Sequence, residues 1–242
     1  MTATKKAIIS PLFFALLLFN LFLPVLAAVI FSDGFESGDF SEWTGESENS
    51  GTITATINNP YLGSYGADVA LTGSGSGRKA YVYKNLGSAY ATLYVRLYFK
   101  LTANYPDASG WHFILSMGAT DSSEVIGVIM YNDAGTTKFG IRRDSGGWGN
   151  VISSSTISID TWYCVELKKT ANSWELFIDG SSVDDESELT LNNVEYAKAG
   201  EVWSENSDAD PQYTVDCVVV ADTYIGPEEE GQNITEVFEE SA

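Results

Sequence analysis

Between Asp160 and Val183 the chain reads DTWYCVELKKTANSWELFIDGSSV, which is two β-hairpins in succession. Trp162 to Leu167 is rich in aromatic and β-branched residues, Ala171-Asn172-Ser173 interrupts it, and Trp174 to Ile178 resumes it. Asp179-Gly180 is a dipeptide that accepts φ > 0 at both positions of a two-residue turn. Hairpins with one apolar face need a second sheet to cover that face, so the segment predicts a sandwich. The rest of the chain agrees: from Phe31 onward its apolar segments are short, alternating and bounded by Gly, Ser, Asn or Asp, and none sustains a helical period over three turns.

Besides the hairpins, strands are expected at 52–57, 67–71, 80–84, 91–101, 111–117, 123–131, 137–142, 151–153, 189–191, 195–196 and 213–221. A dozen or so strands without intervening helices predict an all-β fold, an antiparallel jelly-roll β-sandwich of two curved sheets. The stretch 1–27 reads as a signal peptide: Lys5-Lys6, an apolar run broken by Pro11, Asn20 and Pro24, and small residues at its end. The helix breakers favour a removed leader over an uncleaved membrane helix of the same length. The sandwich is then expected over 28–227, with an acidic disordered tail over 228–242 that contains the sequon Asn233-Ile234-Thr235.

The net charge is −20, from 33 acidic and 13 basic residues, and loss of Lys5 and Lys6 with the leader takes it to about −22. Nucleic acid is therefore an unfavourable partner, and no membrane span is expected in the mature chain. Secretion or display at the cell surface permits a disulfide between Cys164 and Cys217, the only two cysteines; the alternative is a pair of small buried side chains facing opposite ways.

The W-x-x-V-x-L and L-F-I-D-G pattern of the hairpins resembles the central hairpin of laminin-G-like and polysaccharide-lyase-like jelly rolls in the concanavalin A-like lectin/glucanase superfamily. Phe31 to Trp43, FSDGFESGDFSEW, is similar to the entry segment of secreted carbohydrate-active β-sandwiches, and Val215 to Pro227 to their closing strand. In such folds a concave sheet holds saccharide. The resemblance also brings the entry segment to the closing strand, which implies a structural calcium held by Asp33, Glu36, Asp39 and Asp216.

Strand alternation supplies candidate ligand contacts. Val95, Leu97, Phe99 and Leu101 form one face of their strand, leaving Tyr94, Arg96, Tyr98 and Lys100 on the other. The same rule sets Trp111, Phe113, Leu115 and Met117 against His112, Ile114 and Ser116, and leaves Lys138 and Arg142 opposite Phe139 and Ile141. If those strands are neighbours, the polar sets and Tyr131 make one aromatic and basic surface suited to an anionic polysaccharide. The opposing reading is a solvated sheet face whose cations pair with nearby acids. Trp148 and Trp203, in glycine-rich and polar loops, are candidate sugar platforms, whereas Trp43, Trp162 and Trp174 are expected in the core. Glu166 and Glu175 read as surface residues.

His112 is the only histidine. Lyases of this shape combine a neutralising side chain, a base and a tyrosine, and the resemblance offers Arg96, His112 and Tyr131 or Tyr98 for those roles. The R-x-E-x-R and Q-x-H motifs of alginate-cleaving relatives and the E-x-D-x-x-E strand of glucanases are absent. A non-catalytic polysaccharide-binding role leads. A polysaccharide lyase acting on uronate-containing glycan comes second, and a surface or matrix interaction protein third.

Overall fold

A computed structural model describes residues 28–107, 110–144, 148–205 and 209–228; the expected leader and all but the first residue of the expected tail lie outside them. The strands in chain order are β1 (Val29–Asp33), β2 (Gly45–Asn49), β3 (Gly51–Thr56), β4 (Gly66–Leu71), β5 (Lys79–Tyr90), β6 (Leu93–Ala103), β7 (Trp111–Gly118) and β8 (Ile126–Asp133). They continue as β9 (Thr136–Asp144), β10 (Trp148–Thr156), β11 (Trp162–Lys169), β12 (Trp174–Ile178), β13 (Ser181–Glu186), β14 (Val194–Glu201), β15 (Ser204–Glu205) and β16 (Gln212–Ala221).

Two antiparallel sheets result. Sheet A runs β13-β12-β11-β6-β16-β4-β3 with β1 on β16, and sheet B runs β10-β9-β8-β7-β14-β5-β2 with β15 on β7. This is the expected jelly-roll sandwich, and its hairpins match the sequence closely. Val165 lies opposite Ile178 and Leu167 opposite Leu176. The turn between β12 and β13 takes φ values of 51° at Asp179 and 77° at Gly180, the two positive angles that the dipeptide was expected to accept. Residues 189–191 are not a strand. They form a loop held by Leu189 and Leu191 amides donating to the Asn172 and Ala171 carbonyls, with Leu191 buried. Strand β2, GESEN, went unread because it carries no apolar alternation; it pairs with β5 at an edge.

The core lies between the sheets. Val95, Leu97, Phe99 and Leu101 of β6 are fully buried there, as are Phe139 and Ile141 of β9. Phe99 meets Phe139 edge-on at 5.9 Å, which joins the two sheets. Trp43 and Trp174 are buried as expected. Trp162 instead sits half-buried on the outer side of sheet A, edge-on to Tyr61 at 5.4 Å. Glu166 is also a correction: it is 1% exposed, because its carboxylate accepts the amides of Ile225 (2.9 Å) and Gly226 (2.8 Å) as the chain crosses sheet A after β16.

Cys164 and Cys217 are free thiols. They pack in one buried cluster with Tyr98 on the outer side of sheet A, not on opposite sides of the core. Strand β6 separates β11 from β16, so the two cysteines lie two strand spacings apart, roughly 9–10 Å, beyond disulfide reach.

Trp174 is 1% exposed and its indole N–H donates to Glu186 at 3.1 Å. Trp174→Ala is expected to cost about 3–5 kcal/mol through the cavity it leaves. Urea unfolding should show a lower midpoint at an unchanged slope.

Candidate functional site

The basic and aromatic surface expected from alternation does not form, because its strands belong to different sheets. β6 lies in sheet A, while β7, β8 and β9 are neighbours in sheet B. On sheet A, Arg96 is 2% exposed: it donates to the Gly226 carbonyl at 3.0 Å and pairs with Glu228. Tyr98 is buried, stacked on Tyr61 at 3.6 Å, and accepts the Glu228 amide at 2.7 Å. Lys100 lies 4.9 Å over the Trp162 ring and donates to Asn59, and Lys168 stands 6.0 Å over Tyr94. Arg96 and Tyr98 thus hold the closing segment at Gly226 and Glu228.

His112 is a second correction. The ladder of β7 with β8 pairs Phe113 with Ile129 and then Leu115 with Val128, so Ile114 is an extra residue on β7. Such a bulge flips the alternation. Ile114, Leu115 and Met117 face the core, whereas Trp111 and Phe113 face outward in a cluster with Tyr81, Ile129 and Val202. His112 turns inward with no exposure, its Nδ1 2.8 Å from Oε2 of Glu201, which is equally buried. Burial and the nearby Arg78 charge push the imidazole down to about 3. Burial, partly offset by Arg78, lifts the Glu201 carboxyl well above its ordinary range. Both shifts favour the uncharged forms, a neutral imidazole against a neutral carboxyl, over a buried ion pair. Among the described residues, His112 Nε2 and Glu201 Oε1 have no hydrogen-bond partner.

Arg78, 2% exposed, extends this network to the surface. It donates to Ser204 Oγ (3.4 Å), the Gly73 carbonyl (2.9 Å) and the Ala209 carbonyl (2.7 Å), and pairs with Asp210 at 2.7 Å. It thereby holds the segment that carries Trp203 and Glu205 against the end of β7, where Ser204 pairs with His112.

The outer face of sheet B is the aromatic one. Trp111 and Phe113 meet edge-on at 5.5 Å, and Tyr131 pairs with Trp111 across β8. Tyr81, Tyr83 and Tyr196 continue the row at 6.3 Å steps. Gly127 makes room for the Phe113 ring, since a Cβ there would lie 2.6 Å from it. The Arg142 guanidinium stacks 4.3 Å over the Trp111 ring, and burial lowers its pKa while Glu205 opposes the shift. Trp203 is 37% exposed, its ring lying against Gly77 with Lys79 5.4 Å above it. Trp111, Phe113, Glu124, Arg142, Trp203 and Glu205 line a recess of about 260 Å³.

Of the expected contacts, Tyr131, Lys138, Arg142 and Trp203 thus share this sheet, with Lys138 spent on Asp133 at 2.8 Å. Trp148 opens β10 opposite Asp144, and its side chain lies outside the described residues. Tyr81, Tyr83, Trp111, Phe113, Glu124, Tyr196, Lys198 and Glu205 were missed. The Y-V-Y of β5 and the Y-A-K of β14 were the available signals, since each alternates aromatic or polar with small apolar residues.

The residues expected to hold calcium are engaged elsewhere. Asp33 accepts the Phe35 amide and the Trp43 indole N–H, Glu36 the amides of Ser64 and Tyr65, and Asp39 that of Ser41. Asp216 accepts the amides of Tyr61, Leu62 and Cys217, with its carboxyl held up at about 6 by burial. Among the described residues no three His, Cys, Asp or Glu side chains are grouped to hold a metal ion.

The His112–Glu201 pair predicts a pH signature. Glu201 keeps its proton in the fold, so its contribution is complete below its ordinary pKa of 4.5 and declines as pH rises beyond it. His112 stays unprotonated, so its contribution is complete above 6.5 and declines as pH falls towards about 3. The two trends cancel between 4.5 and 6.5, and stability falls above that window. Glu201→Gln keeps a donor for Nδ1 and should abolish the alkaline fall, measured by urea unfolding from about pH 5 to about pH 8.

No family model matches the chain, and no curated protein is similar to it in sequence. Solved structures do share its fold. An endo-β-1,4-glucuronan lyase from the fungus Trichoderma reesei superposes with a TM-score of 0.63 at 14% identity, covering 80% of this chain and 95% of that one. The cellulose-induced protein Cip1 gives 0.61 at 15% identity, covering 82% and 100%. The protein has the concanavalin A-like jelly-roll fold.

Proposed function

We propose that this protein is an exported polysaccharide-binding β-sandwich that holds its ligand along the outer face of sheet B. The observation that carries this reading is the recess in which Trp111, Phe113 and Trp203 surround a guanidinium stacked on an indole. Aromatic rings offer apolar faces to sugar C–H groups, and Arg142, Glu124 and Glu205 offer donors and acceptors to hydroxyls. The fold adds support by analogy, since one similar structure is a glucuronan lyase and another a cellulose-induced protein. The leader-like residues 1–27 favour export.

Binding is preferred to β-elimination for a physical reason. An elimination that uses histidine as its base needs the ring within reach of the sugar, and the only imidazole lies inside the sandwich, bonded to Glu201.

Trp203 is partly exposed at the recess rim, so its replacement leaves the core intact. Trp203→Ala is expected to weaken retardation in polysaccharide-containing native gels about tenfold, equivalent to ~1.4 kcal/mol, with an unchanged melting temperature. Equal retardation of variant and wild type would remove this recess as the binding site.

A further inference from the structure

The charges around the recess narrow the ligand class. Its lining holds one cation, Arg142, and two carboxylates, Glu124 and Glu205. The cations near it are already engaged. Arg142 stacks on Trp111 and feels Glu205. Lys198, with no side-chain exposure, donates to Glu124 Oε1 and the Ser123 carbonyl, both at 3.0 Å. Lys79 lies over Trp203, whose indole N–H donates to Glu205 at 3.3 Å.

We propose that the polysaccharide held here is uncharged, a neutral hydroxyl-rich glycan rather than a uronate or sulfated polymer; this rests on the polysaccharide reading above. A uronate carboxylate entering the recess meets the like charge of Glu205, with which the one lining guanidinium is already shared, and a Glu124 already paired with Lys198. A buried lysine committed to Glu124 cannot turn to it without leaving that carboxylate unpaired. Long-range steering acts in the same direction, because the whole chain carries a net charge of −20 and repels polyanions. Neutral sugar meets none of these costs. Its hydroxyls donate to Glu124 and Glu205 and accept from Arg142, and a ring face packs on the partly exposed Trp203.

The test is affinity electrophoresis and calorimetry of the leader-free chain against a neutral panel (mixed-linkage β-glucan, galactomannan, xyloglucan) and an anionic panel (alginate, polygalacturonate, heparin). The expected result is retardation by at least one neutral polymer, changing less than about twofold between low and physiological ionic strength, with none by the anionic panel. Glu205→Gln should weaken that retardation about three- to tenfold, because a charged acceptor becomes a neutral one. Retardation by an anionic polymer alone, weakening with salt, overturns the proposal and leaves the polysaccharide reading standing. No retardation by either panel overturns both.

Discussion

Between Phe113 and Leu115 the ladder joining β7 to β8 accommodates one more residue on β7 than on β8, and the two faces of sheet B take their character from that insertion. Up to Phe113 the odd-numbered residues of β7 point outward and build the aromatic recess; beyond it Leu115 and Met117 point into the core. Without the bulge, Trp111 and Phe113 would compete with Leu115 for interior volume, and His112 would stand on the surface. A bulge also sharpens local twist.

Turning His112 inward places an ionisable group where water cannot solvate it, and the fold answers with a network. Glu201 supplies the partner, and Arg78, whose charge disfavours a protonated imidazole, spends its donors on the Gly73 and Ala209 carbonyls. A buried polar network adds little net stability, but leaving any member unpaired costs several kcal/mol, about 3–5 for a broken buried pair. Its effect is to fix geometry: the recess wall is tied to the sheet by interactions that tolerate few alternatives. Arg96, Glu166 and Glu228 do the same for the closing segment on sheet A, where Arg96 pairs with Glu228 and Glu166 holds the amides of Ile225 and Gly226.

Fold class was legible because it depends on local signals. The Asp179-Gly180 turn, the paired runs around Val165 and Leu176, and the apolar face of β6 all read correctly, each being a matter of alternation or of φ over a few residues. The site was only partly legible. Arg142, Tyr131 and Trp203 were identified, but they were grouped with Arg96 and Tyr98 on the assumption that β6 adjoins β7, whereas the chain crosses between sheets there. Glu166 and His112 were misplaced for related reasons. Whether a polar side chain is covered depends on a segment distant in sequence, residues 225–226 in one case and Glu201 in the other.

The sequence by itself determined an all-β sandwich, its central hairpins, much of its core and the aromatic and charged inventory available to a ligand, because strand periodicity and turn chemistry are encoded residue by residue. Only the tertiary structure decided which strands share a sheet, where the alternation slips by one residue, and hence which aromatics face out and which charges are spent on partners. Those outcomes rest on long-range pairing and on burial competition among segments far apart in the chain, which no local pattern carries.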